Sequence, residues 1–360
     1  GWWDWRFLTL IALTSFLSWA SGLLIERHAN TRTAKAYLVA NITINLLILG
    51  IFKYFNFFVD SFCDLFSIDN SIAIKVILPV GISFYTFQAL SYSIDVYRNK
   101  INATKDIVAF FAYVSFFPQL VAGPIERATN LLPQFERQRT FDYQEAVDGM
   151  RRILWGLFKK IVVADNCATY VDQVWNNYAN ECGSTLALAA ILFAFQIYGD
   201  FSGYSDIAIG SAKLFGIRLR DNFLTPYFSR NVAEFWKRWH ISLNTWFVDY
   251  VYIPLGGSRP DVPNRIKNKS AYVKYITIRN TFVIFLLSGL WHGANWTYVT
   301  WGLYHALLFV PLILLGRTKT YSGVATWKQL PQILLTFSLA TLGWIIFRAP
   351  SITDAWQYIC

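Results

Sequence analysis

The sequence predicts an all-α polytopic membrane protein, and three observations carry that prediction. Hydrophobic residues make up 55% of its 360 positions and charged residues only 15%, where soluble domains run at roughly 45–50% and about 25%. Several apolar runs reach the roughly 20 residues that a helix needs to cross about 30 Å of hydrocarbon. Those runs are continuous, as at 37–59, where the strands of a membrane barrel would alternate. Lipid offers backbone groups no partner, so a crossing segment that is not part of a closed barrel has to be a helix. The 30 Phe, 20 Tyr and 15 Trp suit interfacial belts and a packed helical bundle.

Candidate spans are 5–25, 37–59, 76–97, 151–171, 184–212, 276–296, 297–316 and 331–348. Loop charges orient them, because Lys and Arg accumulate on the cytoplasmic side. Arg27, Arg32 and Lys35 put the first loop inside; Asp60, Asp64 and Asp69 put the second outside; Arg98, Lys100 and Lys105 bring the chain back. The stretch 107–122 is apolar but short and has basic flanks, including Arg127–Arg139, so it reads as re-entrant or interfacial. Span 151–171 leads to an acidic outer loop with Asp172 and Glu181, and span 184–212 descends to Lys213, Arg218 and Arg220. The run 230–259 is basic on both sides, out to Arg265, Lys267, Lys269, Lys274 and Arg279. Too polar to cross, it should dip into the protein from the cytoplasmic face, where irregular backbone is tolerated if buried or lining a cavity. Helix 276–296 runs outward, Asn295 and Trp296 mark the turn, and 297–316 returns to Arg317 and Lys319. This topology sets His240 near the inside and His292 nearer the outside.

The net charge of +10 is spread over short loops between apolar spans. That pattern belongs to a membrane protein meeting lipid rather than to a nucleic-acid binder. Cys63, Cys167, Cys182 and Cys360 have neither CxxC nor metal-ligand spacing, and no metal site is expected. The chain opens on Gly1 and stops at Cys360 just after a span, so it reads as one domain over 1–360, truncated at both ends. No internal repeat or second soluble domain is visible.

Charged groups at membrane depth are expensive and therefore point to function. The run 230–259 crowds Glu234, Lys237, Arg238, His240, Asp249 and Arg259 among aromatic and aliphatic residues. In WKRWH, Lys237, Arg238 and His240 beside Trp236 and Trp239 would suit an anionic, phosphate-bearing donor. The same residues would also suit a surface helix whose basic side chains snorkel among headgroups. In LWHG, His292 sits beside a glycine, and Gly289 and Gly293 leave room for a substrate or for another helix. It could act as a general base, since histidine accepts a proton near neutral pH, or bond a neighbouring helix. DFSGYSD places Asp200, Ser202 and Asp206 inside an apolar span. They imply a polar cavity or a basic partner such as Arg230 or Arg238. IPLGG (253–257) and VAGPIE (121–126) read as helix breaks that shape a cavity, since neither fits a phosphate-loop pattern. Asn295 and His305 are supporting candidates; His28 lies in a loop.

Six stretches in order, PVGISFYTFQALSYSIDVYR, FFPQLVAGPIER, YGDFSGYSDIAIG, EFWKRWHISLNTWF, YIPLGGSR and GLWHGANWTYVTWGLYH, resemble the membrane-bound O-acyltransferase family over nearly the whole chain. IPLGG favours the alginate O-acetyltransferase-like branch over the branch that transfers D-alanine to teichoic acid. The resemblance implies a ring-like helical bundle with re-entrant segments and a central tunnel. The family's essential histidine falls on His292 and its second polar position on His240. It further implies transfer of a short acyl group, acetyl above all, from a cytoplasmic thioester (acetyl-CoA or an acyl carrier) to a hydroxyl of an exported polysaccharide. Transfer would be direct or through an extracellular acyltransferase partner, at a bacterial inner membrane. No bound cofactor is implied. The competing readings are D-alanyl or other acyl transfer to a cell-wall polymer, or a transporter or scaffold of an export complex that makes no bond.

Overall fold

The computed structural model describes residues 5–68, 78–263, 266–318, 321 and 325–360. Among these the chain forms α1 (Arg6–Arg27), α2 (Arg32–Leu49), α3 (Phe55–Phe66), α4 (Ile82–Tyr97), α5 (Ile107–Val114) and α6 (Ala128–Glu136). There follow α7 (Tyr143–Leu157), α8 (Asp165–Asn176), α9 (Gly183–Leu214), α10 (Val232–Arg238) and α11 (Ile241–Phe247). The chain then continues through α12 (Lys269–His292), α13 (Trp296–Leu314), α14 (Leu330–Arg348) and α15 (Ile352–Ile359). Side chains cap several helix starts: Thr31 bonds the amide of Ala34, Asp106 those of Val108 and Ala109, and Asn268 that of Ala271. Each supplies an acceptor to one or more of the amides that a helix N-terminus leaves unpaired.

Six helices among the described residues are long and apolar enough to cross a membrane: Phe7–Arg27, Arg32–Phe66, Gly183–Leu214, Lys269–His292, Trp296–Leu314 and Trp327–Arg348. They correspond to six of the eight spans expected from the sequence. The other two are helical but of a different kind. The expected span 76–97 is the 16-residue α4, about 24 Å long at 1.5 Å per residue, and its first two positions lie outside the described residues. All but three of its residues are buried, so it is wrapped by protein rather than lipid. The span 151–171 falls inside a helical run from Tyr143 to Asn176 that carries Arg151, Arg152, Lys159, Lys160 and Asp165. That run passes through a π-helical segment, Phe158–Ala164. Asp69, Arg265 and Lys319, used to orient the loops, also lie outside the described residues.

The chain gathers into two compact units, Gly1–Ile153 with Ile207–Arg220, and Leu154–Asp206 with Asp221–Cys360. In the first, α1, α2 and α4 are tied by buried amides and hydroxyls. Ser18 donates to Asn41 at 3.2 Å, Asn41 to Ser93 at 2.8 Å, and Asn45 to Ser18 at 3.4 Å. Interhelical bonds of this kind contribute where lipid removes the hydrophobic drive for helix association. A cluster including Tyr85, Tyr92, Phe110, Tyr113 and Leu131 packs around them. In the second unit, the core is aromatic: Phe235, Trp236, Trp239, Phe285, Trp301 and Trp344 are all buried. There α12 and α13 pack as an antiparallel pair, closely enough that a Cβ on Gly302 would strike the Phe285 carbonyl.

The same unit explains the carboxylates of DFSGYSD. Gly199 and Gly203, one helical turn apart on α9, lie against the run 156–164. A Cβ on Gly203 would come within 2.8 Å of the Gly156 carbonyl oxygen. The close approach brings Lys159 and Lys160 onto α9. Lys160 pairs with Asp200 at 2.6 Å, and Lys159 with Asp206 at 2.5 Å and Ser202 at 3.0 Å. The basic partners are therefore these lysines and not Arg230 or Arg238. The charges belong to a helix-packing seam that a small-xxx-small spacing makes possible.

Candidate active site

Asn231 caps α10 by accepting from the Glu234 amide at 2.8 Å, and the helix runs only to Arg238. His240 then turns the backbone with φ 45° and ψ 53°, the left-handed region, and α11 starts at Ile241. The break leaves carbonyls and amides that the chain satisfies from elsewhere. Asn244 donates its side-chain amide to the Trp236 carbonyl at 2.6 Å, and the Leu224 amide donates to the Arg238 carbonyl at 2.9 Å. After α11 a π-helical segment, Val248–Tyr252, leads into the IPLGG turns. The run thus enters the protein and turns back, as expected of a re-entrant segment. Its depth is set by Trp236, whose ring lies 5.3 Å from Phe285 and 5.5 Å from Trp301, well inside α12 and α13.

Here the structure corrects the placement of the two histidines. Their ring centroids are 6.2 Å apart, so they share one site instead of standing on opposite sides. His292 is the last residue of α12, about 35 Å along the helix from Lys269, and the re-entrant break carries His240 up to meet it. Loop charges locate the ends of a segment but not how deep it dips. Around the pair stand Phe201, 4.6 Å from His240, and Trp301 and Phe347, each 5.2 Å from His292. His240 is 1% exposed, and neither ring nitrogen has a hydrogen-bond partner among the described residues. Burial, and secondly the nearby His292 imidazole, push its pKa well below the usual 6.5. At pH 7 it is neutral, with one N–H to donate and one nitrogen to accept.

A cavity of about 320 Å³ is lined by His240, the nearer member of this pair. Its wall follows one face of α12 through Thr277, Thr281, Ile284 and Ser288, and Trp236, Lys237, His240 and Asn244 form the opposite wall. Thr277 and Thr281 bond carbonyls of their own helix, at 2.8 Å each, and so spend their hydroxyls there. Ser258 and Thr318 line the end near the basic segments.

The remaining sequence-derived candidates divide between this cavity and its supports. Trp236 and Lys237 line it; Trp239 does not, being packed against Phe223, Phe235 and Trp344. Arg238 pairs with Glu234 at 2.6 Å, and Arg230 grips the same carboxylate at 2.6 Å. Burial alone would raise the Glu234 pKa, but the two arginines outweigh it and hold the carboxylate below its usual range. Arg230 also donates to Gln329 and to the Tyr321 carbonyl, both at 3.3 Å. His305 stands behind Trp236, accepting its indole N–H at 3.4 Å on Nδ1. Asn295 caps α13 and donates to the Pro350 carbonyl at 3.1 Å. The space beside Gly289 and Gly293 is taken by Tyr298 of α13, which settles the choice between substrate and helix in favour of the helix. From DFSGYSD the residue that reaches the site is Phe201, while Asp200, Ser202 and Asp206 stay in the packing seam. Phe201, Ser205, Asn222 and Asn244 are the supports that the sequence reading missed. All but Asn222 lay in stretches that had drawn attention, DFSGYSD and EFWKRWHISLNTWF.

Glu234 is wholly buried, so removing Arg230 leaves its carboxylate with Arg238 as its remaining arginine. Arg230→Met is expected to cost about 2 kcal/mol of unfolding free energy, the loss of charge-assisted hydrogen bonds to a buried group, while Arg230→Met with Glu234→Met recovers part of it. Thermal unfolding of both variants in detergent checks this.

A sequence profile of the membrane-bound O-acyltransferase family matches residues 100–348. The chain belongs to the membrane-bound O-acyltransferase family. Within it, the chain is 39% identical to the probable alginate O-acetylase of Pseudomonas aeruginosa, over 99% of this chain and 66% of that protein. It is 34% identical to the peptidoglycan O-acetyltransferase of Helicobacter pylori, over 98% of this chain and 69% of the relative. Likeness to the teichoic acid D-alanyltransferase of Bacillus subtilis is lower, 28% over 74% of this chain and 68% of the relative. The chain thus spans about 66% of the length of the first of these membrane-bound O-acyltransferases.

Proposed function

We propose that this protein transfers a short acyl group, acetyl above all, from a cytoplasmic thioester to a hydroxyl of an exported or cell-surface polysaccharide. The observation that carries this reading is the neutral, unpartnered His240 on the wall of a 320 Å³ cavity, 6.2 Å from His292. Lys237 on the cavity wall supports a donor that carries phosphates, and the basic loops of the chain support its entry from the cytoplasm. Arg238 is committed to Glu234 and serves the site as a support.

In this reading His292 takes the proton of the acceptor hydroxyl as its oxygen attacks the thioester carbonyl carbon. The N–H of His240 bonds the oxyanion that develops, the role of a preorganised donor. Collapse expels the thiolate, which takes the proton from His292 and leaves as thiol, so ester and thiol are the products. The names of the relatives support a polysaccharide or cell-wall acceptor, and six long apolar helices support a multi-pass membrane protein; an extracellular acyltransferase partner and the bacterial cytoplasmic membrane are part of the proposal itself. Greater likeness to O-acetyltransferases than to the D-alanyltransferase favours acetyl.

The test is purified protein in lipid nanodiscs with acetyl-CoA, with and without surface polysaccharide from the producing cell. Free thiol and ester should appear together and depend on the glycan. Glycan movement without thiol release would replace this reading with transport. Thiol release only from a D-alanyl thioester would replace acetyl by D-alanyl.

A further inference from the structure

His240 is held in the left-handed region, which non-glycine residues enter uncommonly, histidine, asparagine and aspartate more often than the rest. Such a conformation persists only where its surroundings over-determine it. It also stands at the N-cap of α11, where Ser, Thr, Asp or Asn would usually bond the first amides. Its imidazole makes no such bond, because the ring is turned toward Phe201, Trp291 and His292. The amides of the first turn are therefore left for another residue to satisfy.

That residue is Asn222, from the connection between α9 and α10. Its backbone carbonyl accepts the Ile241 amide at 3.0 Å. Its Oδ1 accepts both the Ser242 amide, at 3.2 Å, and the Ser242 hydroxyl, at 2.8 Å. Its Nδ2 donates to Ser205 on α9 at 3.3 Å. Asn222 is 1% exposed and Ser205 2%, so water is no substitute for either. One buried amide thus does the capping that a histidine at the N-cap leaves undone, and anchors it to α9.

We propose that Asn222 is a positioning residue: braced on Ser205, it clamps residues 240–242 so that the His240 imidazole faces His292. This rests on the acyl-transfer reading above. A residue that acts only through His240 has a distinct signature, since its loss counts once. Effects of residues in one network do not add, whereas independent ones do.

The test uses the full chain in nanodiscs, with acetyl-CoA and the producing cell's surface polysaccharide, reading thiol release. Asn222→Ala should lower kcat about 10²-fold, at the foot of the range for loss of one oxyanion donor, with KM for acetyl-CoA within about twofold. In a His240→Ala background the same substitution should cause no further loss. Asn222→Asp keeps the acceptor for Ser242 and should retain most of the activity that Asn222→Ala loses. A multiplicative loss in the His240→Ala background, or a rise in KM alone, would overturn the proposal. Should Asn222→Ala not survive solubilisation, Ser205→Ala carries the same cycle, with a loss of about tenfold expected for an anchor one bond further away. A cryo-EM structure of the variant keeps the two readings separable. If wild-type protein releases no thiol, the acyl-transfer reading has failed. The clamp is then judged by whether residue 240 leaves the left-handed region in Asn222→Ala; an unchanged backbone there overturns it.

Discussion

His292→Ala is expected to abolish measurable acyl transfer, lowering kcat by about 10²–10⁴-fold, the range for loss of a positioned general base. The residue ends α12 and its ring meets Trp301 and Phe347 edge-on, at 83° and 80°. Those contacts aim the imidazole without carrying the fold. The helix itself is held by its capped start and its packing on α13, so the variant should insert and migrate as the parent protein does. The assay is ester formation on surface polysaccharide, beside size-exclusion profiles of both proteins. Normal acetylation in a well-folded His292→Ala protein would remove the general-base assignment.

His240→Ala is expected to lower turnover by at least about 10²-fold, since it deletes the donor placed for the oxyanion. His240→Asn should keep a substantial part, because asparagine tolerates the left-handed backbone and still offers an N–H. The histidine also makes stability depend on pH in a known direction. Its folded pKa lies well below 6.5, so between those values the unfolded chain binds more protons. Stability therefore rises with pH across that window, is fully present above about pH 6.5, and is lost on acidification toward the folded pKa. Unfolding midpoints measured from pH 7.5 down to 5 should fall less steeply in His240→Asn than in the parent. Parallel slopes would show that the imidazole is not buried in its neutral form.

Much of this was legible along the chain. A span announces itself through roughly 20 continuous apolar residues, a local property, and α1, α2–α3, α9, α12, α13 and α14 fall where the apolar runs predict them. The re-entrant run showed itself because Glu234, Arg238 and His240 would be costly in lipid. Less legible was which charge meets which. Asp200 and Asp206 find Lys159 and Lys160 through a Gly199–Gly203 seam between two helices. Arg238 meets Glu234 four residues back on α10, and Arg230 meets it from four residues before, just ahead of the Asn231 cap. Helical spacing would have suggested the second pairing, and the glycine spacing the first.

The sequence by itself determined the helical class, six of the crossings, the basic and acidic loops, and His240 and His292 as the residues to watch. All of these follow from composition and spacing within one stretch of chain. Only the tertiary structure decided that the two imidazoles stand 6.2 Å apart, that Trp236 lines the cavity while Trp239 does not, and that Asn222 holds the break at His240. The physical reason is that lipid and water act on a segment through its own residues, whereas depth, cavity walls and capping partners depend on which distant segments pack together. A re-entrant helix stops where its neighbours, here Phe285, Trp301 and Trp344, leave it room.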